Sequence, residues 1–426
     1  MVHQTMNTSK TSAPSASSNN KVMAAMADHK QGVDGKGFWH ARGWRLAVVV
    51  GIVGSLVACA TQVSEIPSAP ADIPPLAVPA DTAPLPSAIQ RTGSRWVPVR
   101  WAELPGWGPE GLHAVWNAWV RGCERPAPGQ AALCAEVRQL SIATDVEQQA
   151  WAMRRLQPYR VTEPDGTPPS GLLTGYYEPI MDARRQPSAT HRTPLHAPPP
   201  SLLAMPRGQP WFTRQQIDSD ASAQAALKGR EIAWLADPID ALILQIQGSG
   251  RLNITEPNGS QRQVRVAFAA HNGQPYQSVG RWLLDQRAIT DASWTAIKVW
   301  AARNPQRLND MLWSNPRTVF FREETLNEFD ARFGPRGAQG VPLTPGRSIA
   351  VDPKSIPYGT PVWLATQGPT LNIQRLVMAQ DTGGAIVGAV RADLFTGWGS
   401  WTDEAYTTAA ALKQPLQMWV LWPRVP

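Results

Sequence analysis

The chain has 426 residues, 40 of them basic and 33 acidic, and 43% are hydrophobic. That length suits one large domain or about two to three ordinary ones, and the composition excludes collagen, coiled coil and a wholly disordered chain. The net charge of +7 invites a nucleic-acid reading, but residues 1–58 hold Lys10, Lys21, Lys30, Lys36, Arg42 and Arg45 against only Asp28 and Asp34. The remainder carries no dense basic stripe, so no nucleic-acid partner is expected. The 19 Trp outnumber the 8 Phe and 6 Tyr. Trp rings fill cores and stack on sugars alike, and core packing is the expected role for most of them.

Residues 1–35 are rich in Ser, Ala and Lys and lack apolar periodicity. Arg42 and Arg45 then precede an apolar run over 46–58. A membrane-spanning helix needs about 20 residues, so this run matches a signal-peptide core instead. Leu56-Val57-Ala58-Cys59 resembles a bacterial lipobox. The resemblance implies that residues 1–58 are removed and that the Cys59 thiol receives a lipid, which anchors the chain without spanning the bilayer. A residue other than Asp at position 60 implies sorting to the outer membrane, facing the periplasm. The alternative is a chance Cys after an ordinary signal peptide. Residues 59–94 are expected to form a tether, with Pro67, Pro70, Pro74, Pro75, Pro79, Pro84 and Pro86. In a polyproline-like conformation residues 60–86 reach roughly 80 Å.

Two cysteines remain, Cys123 and Cys134. An oxidising compartment permits a disulfide between them. It would close a loop of about ten residues and contribute roughly 2–3 kcal/mol. Two separately buried thiols are the alternative. The His residues never sit at Cys- or His-paired spacing, so neither a metal nor a cofactor is expected.

Globular character starts near Trp96. Helices are predicted at 111–121 and from Cys134 to about Leu156, where apolar residues recur at helical spacing. Residues 171–179 predict a strand entering a turn, and Pro-rich loops run to about 215. Residues 241–247 predict a buried strand ended by Gly248-Ser249-Gly250. Helices follow at 278–287 and 291–303. From Ser348 the texture changes to short β segments at 348–351, 360–364, 375–379 and 417–422, separated by Gly and Pro. The class is mainly β with helices, and the short strands suggest a small barrel.

Gly248-Ser249-Gly250 is too short for a phosphate loop, and Ser249 lacks a triad setting. The chemistry-bearing feature is a set of aspartates in the C-terminal β region. Asp352 ends Ser348-Ile349-Ala350-Val351, Asp381 ends a run from Arg375 and is followed by Thr382-Gly383-Gly384, and Asp393 stands in Ala392-Asp393-Leu394-Phe395. The glycine amides beside Asp381 would hold it ionised, whereas the apolar flanks of Asp393 would raise its pKa. A raised pKa is what a general acid at neutral pH needs. Each of these carboxylates can instead cap a turn.

Residues 348–397, with these three aspartates, resemble the 3D domain. Thr174-Gly175-Tyr176-Tyr177-Glu178-Pro179, Gln247-Gly248-Ser249-Gly250, Asn272-Gly273-Gln274-Pro275-Tyr276, Asn315-Pro316 and Phe320-Phe321-Arg322-Glu323 fall in the order found in the MltA family of membrane-bound lytic murein transglycosylases. The resemblance covers roughly residues 95–425. It implies a double-psi β-barrel built from 95–178 and 324–426, a smaller inserted β domain over 179–323, and a groove between them for a peptidoglycan glycan strand. It implies a monomer that cleaves the β-1,4 bond between N-acetylmuramic acid and N-acetylglucosamine without water, leaving a 1,6-anhydro end. An intramolecular nucleophile supplies its own effective concentration, so one carboxyl group suffices. That residue is Asp393 by resemblance, with Asp381 shaping the site. Gln247, Ser249, Tyr176 and Thr174 are implied as substrate contacts, and Asp352 either as another contact or as a turn support. Val387 departs from the family, which often carries Lys there, and the spacing from Asp381 to Asp393 is one residue longer than in some members. A wall glycoside hydrolase and a non-catalytic wall-binding lipoprotein are the competing readings.

Overall fold

The computed structural model describes Thr82, residues 84–206 and residues 208–424. The signal region, Cys59 and most of the tether lie outside the described residues. The chain joins the fold earlier than expected: Ile89 pairs with Trp96, and the Gly93 N–H donates to the Lys354 carbonyl, so residues 89–94 belong to the folded body.

The sheet system contains β1 (Ile89–Gln90), β2 (Arg95–Pro98), β3 (Leu156–Thr162), β4 (Leu172–Arg184), β5 (Thr193–His196), β6 (Glu231–Leu235) and β7 (Ser249–Thr255). It continues with β8 (Gln261–His271), β9 (Val319–Thr325), β10 (Ser348–Val351), β11 (Thr360–Gln367), β12 (Asn372–Asp381), β13 (Arg391–Gly399), β14 (Lys413–Pro415) and β15 (Gln417–Pro423). Hydrogen bonding runs in the order β1-β2-β3-β15-β11-β12-β10-β13-β4-β7-β8-β9, with β14 and β6 also pairing on β4. Strands β10 and β11 are mostly apolar and buried along almost their whole length, as expected of central strands covered on both faces.

Strand β4 connects the two halves of this system. Residues 172–179 pair in parallel with β13, and residues 180–184 pair in parallel with β7. The expected strand therefore does not enter a turn at Pro179 but runs on to Arg184. Glu178 lies at the changeover and is 0% exposed. Its carboxylate accepts from Arg251 Nε at 2.8 Å and Arg265 Nε at 2.6 Å. The same two guanidinium groups donate onward to the carbonyls of Ala331 and Phe333, and Arg251 stacks on Trp398 at 4.2 Å. One buried acid thus ties β4, β7, β8, the segment after β9, and β13 together.

The run 241–247, expected as a strand, is part of a helix, Pro238–Gln247. A short apolar run fits a buried strand or a buried helix equally, and the ends decide. Asp237 caps the first turn by accepting from the Ile239 N–H at 2.8 Å, Pro238 takes the first helical position, and Gly248 ends the helix at φ 80°. The helix expected from Cys134 to about Leu156 is likewise two, Cys134–Gln139 and Asp145–Arg155. Thr144 is extended there and forms a reciprocal cap with Glu147.

Among the described residues, three large cores and two smaller apolar clusters fill the body. Trp101, Trp107, Trp116, Trp119, Trp151 and Trp363 cluster around the helix His113–Gly122, which accounts for many of the tryptophans as packing. Cys123 and Cys134 are joined in a disulfide beside that cluster. A second core lies among β3 and β10–β15, and a third packs Pro238–Gln247 against β7, β8 and β9. No helix among the described residues is long and apolar enough to cross a membrane.

Replacing Glu178 by Gln leaves two buried guanidinium groups without a counter-charge, and the loss is expected to be about 3–5 kcal/mol. A lowered midpoint of chemical denaturation checks this; an unchanged midpoint would deny the cluster its joining role.

Candidate active site

The site is set by strand register. Ala350 on β10 pairs with Asp381 on β12 and with Asp393 on β13, and Asp393 pairs with Thr174 on β4. In-register partners point to the same face of a sheet. Asp381, Ala350, Asp393 and Thr174 therefore form one row across four strands. Ala350 contributes only a buried methyl group between the carboxylates, whose backbone positions are two strand spacings, roughly 9–10 Å, apart. One step along, Phe395 pairs with Tyr176, and their rings pack at 5.4 Å.

Asp393 is held by a relay. Arg391 Nη2 donates to Thr174 Oγ1 at 2.8 Å, and Thr174 Oγ1 donates to Asp393 Oδ1 at 2.6 Å. With its oxygen occupied by Arg391, the Thr174 hydroxyl has its proton directed at the carboxylate. Asp393 Oδ2 accepts no hydrogen bond from the described residues, so it is the oxygen available to carry a proton. Burial pushes the Asp393 pKa up to about 6, against the pull of Thr174 and Arg391 and helped by the negative charge of Asp381.

Asp381 has the opposite character. Its Oδ2 accepts from the Tyr176 hydroxyl at 2.8 Å and its Oδ1 from the Ala338 N–H at 2.9 Å, with a further backbone bond from Thr382. These donors replace the Gly383-Gly384 amides that the sequence suggested. Burial still raises its pKa, and the three donors oppose the rise. The Tyr176 phenol is pushed well above its ordinary value by burial and by the two carboxylates, so it stays a donor.

The remaining expected residues divide by placement. Asp352 is 7% exposed, and both its oxygens are taken, by the Lys354 N–H at 2.9 Å and the Gly388 N–H at 3.0 Å. It clamps the loop between β12 and β13, which is the turn-support alternative. Gln247 Oε1 accepts from the Tyr177 N–H at 3.2 Å, which fixes the end of its helix to β4 next to Tyr176. Ser249 starts β7 and is 7% exposed. Val387 stands 69% exposed in the loop after Asp381. Among the described residues no group of His, Cys, Asp and Glu is placed to hold a metal ion.

Residues 172–322 match the MltA specific insert domain, and residues 347–422 match the 3D domain. A membrane-bound lytic murein transglycosylase A of Vibrio cholerae is 30% identical over 229 residues, covering 50% of this chain and 56% of that relative, so the match spans little more than half its length. The solved structure of the lytic transglycosylase LtgG of Burkholderia pseudomallei is 39% identical with a TM-score of 0.52, over 80% of this chain and all (100%) of that one. The chain belongs to the MltA family. A membrane-bound lytic murein transglycosylase from Agrobacterium tumefaciens superposes with a TM-score of 0.66 at 26% identity, covering 77% of this chain and 98% of that one.

Within this MltA-family chain the sequence reading missed Arg391. Its signal was present: Arg391 and Asp393 stand two apart on one strand and so share a face. Ala338 was missed as well, and no local pattern marks it, because its amide reaches Asp381 from 43 residues away.

The raised pKa of Asp393 has a consequence for stability. An unfolded Asp titrates near 3.9, whereas the folded value is about 6. The folded state then holds a proton that the unfolded state has released, and stability falls as pH rises from about 4 through about 6. Asp393→Asn is expected to melt at a higher temperature than the parent at about pH 7.5 and at the same temperature at about pH 4, as read by calorimetry.

Proposed function

We propose that this chain is a peptidoglycan lytic transglycosylase. It cleaves the β-1,4 bond between N-acetylmuramic acid and N-acetylglucosamine without water and leaves a 1,6-anhydromuramic end. The observation that carries this reading is the single available carboxyl group. Asp393 has a free oxygen and a raised pKa, whereas both oxygens of Asp381 are taken by Tyr176 and Ala338. A hydrolase needs a second carboxylate to activate water or to attack the sugar, and the donors on both oxygens of Asp381 make it a weaker base than a free carboxylate.

Asp393 gives its proton to the glycosidic oxygen as the bond to muramic C1 breaks. The resulting carboxylate then takes the proton from the muramic O6 hydroxyl, and O6 closes on C1. The proton count returns to its start, and no water enters. The Asp381 carboxylate, ordered by Tyr176, faces the same row and stabilises positive charge building at C1. Thr174 and Arg391 keep Asp393 aimed. Gln247, Ser249 and the Tyr176 ring line the substrate path, and Asp352 holds the loop that borders it.

The finer architecture follows the same reading. Parallel pairing of β10 with β12 and of β13 with β4, among barrel-segment strands that otherwise pair antiparallel, supports a double-psi barrel. Its segments are 95–178 and 324–426, with 179–323 as the insert and the glycan strand between them. A lipid on Cys59 would hold the enzyme at the outer membrane, facing the wall from the periplasmic side.

The test is digestion of purified sacculi by the chain from about residue 60 onward, with released fragments weighed by mass spectrometry. Anhydro-ended fragments, one water lighter than hydrolytic ones, are expected from the parent, and none from Asp393→Asn. Reducing-ended fragments would replace this mechanism with hydrolysis.

Activity should fall as pH rises through about 6, because Asp393 must enter the reaction protonated. Removing the positive charge of Arg391, which lowers that pKa, should move the alkaline limb of kcat/KM to higher pH in Arg391→Gln. A limb that stays in place would separate Arg391 from the acid.

A further inference from the structure

Two segments singled out in the sequence, Asn272-Gly273-Gln274 and Asn315-Pro316, take no part in the aspartate row. The structure joins them through buried amides. Asn272, 0% exposed, donates to the carbonyls of Phe212 and Pro316 at 2.8 Å and accepts from the Thr318 N–H at 3.0 Å. Asn315, 2% exposed, accepts from the backbone N–H groups of Gln277 and Arg317. The buried Arg214 donates to the carbonyls of Asn315 and Arg317. Every peptide around Arg317 is therefore fixed.

What this frame presents is the Arg317 side chain. Its Nε donates to the Gln274 carbonyl at 2.8 Å. Its Nη1 lies so close to Gly384 that an added Cβ there would meet it at 2.6 Å. Gly384 stands three residues beyond Asp381 in an exposed loop. Among the described residues neither Nη nitrogen donates a hydrogen bond and no carboxylate pairs with the group. A half-buried guanidinium that has lost part of its hydration and lacks a counter-ion is poised to take an anion from outside. The planar fork suits a carboxylate in particular.

We infer that Arg317 binds a carboxylate carried by the muramic acid substituent of the glycan strand. The inference rests on the peptidoglycan reading above. N-acetylglucosamine offers no such group. Muramic acid offers one in either of two forms: the lactyl carboxylate of a bare strand, or a carboxylate of the attached peptide stem. Holding that substituent beside the Gly383-Gly384 loop places muramic acid, rather than its neighbour, next to the aspartate row. Arg317 is in this sense a specificity residue and takes no part in proton transfer.

Binding to the non-cleaving Asp393→Asn protein tests it, with and without Arg317→Gln. The ligands are peptide-bearing strands, strands stripped of peptides by an amidase, and an uncharged N-acetylglucosamine oligomer. Arg317→Gln is expected to weaken binding of a carboxylate-bearing strand about tenfold, the size of one charge-assisted hydrogen bond, with the oligomer affected far less. Loss on the peptide-bearing strand assigns the stem as the source, and loss on the stripped strand assigns the lactyl group. Arg317→Lys, which keeps the charge and loses the fork, should fall between. Equal weakening of all three ligands, or of none, overturns the inference, as does a parent protein that binds neither strand. Reducing-ended products from the active enzyme would overturn the reaction proposed above while leaving this binding difference intact.

Discussion

The site depends on one continuous strand. β4 brings Thr174 and Tyr176 into register with Asp393 and Phe395 in its first half, then pairs with β7 in its second. Any slip of one residue would turn Thr174 and Tyr176 to the other face. Glu178 prevents that slip, because its two arginine partners come from β7 and β8 and are themselves tied to the segment after β9. The register at the acid is thus held by a buried charge cluster a few residues along the same strand. Such a cluster contributes little net stability against an apolar alternative. Its value here is alignment.

The row across β12, β10, β13 and β4 also explains why two similar carboxylates differ. Both are buried enough for desolvation to dominate, and both are raised. Asp381 is then surrounded by donors that hold it as an acceptor. Asp393 keeps one hydroxyl donor and a free oxygen, and it also feels the charge of Asp381. Ala350 on the intervening strand separates the two by one strand and places no polar group between them. The difference between them comes from their neighbours, and the residue type contributes nothing to it.

Much of this was legible along the chain. The apolar flanks of Asp393 marked a buried strand, and burial is what raises its pKa, although Ala392 and Leu394 themselves face the other side of β13. Arg391 was readable on the same ground. The donors of Asp381 were not: Tyr176 and Ala338 lie 205 and 43 residues away, and the nearby glycines were the wrong local guess. The helix Pro238–Gln247 misled for a different reason. Its apolar run fits a buried strand as well as a buried helix, and only its Asp-Pro start and its terminal Gly mark it as a helix.

By itself the sequence determined the strand-forming runs of the C-terminal region, the tryptophan-rich core, the cysteine pair available for a bond, and which aspartate sits among apolar residues. These are properties of neighbours within a few positions, where periodicity and side-chain chemistry act directly. Only the tertiary structure decided that Asp381, Asp393 and Thr174 share one row, that Asp352 is spent on a loop, and that Arg317 stands fixed beside Gly384. Strand order and register couple residues hundreds of positions apart. They are chosen by the packing of whole faces and by buried charges such as Glu178, which no local pattern encodes.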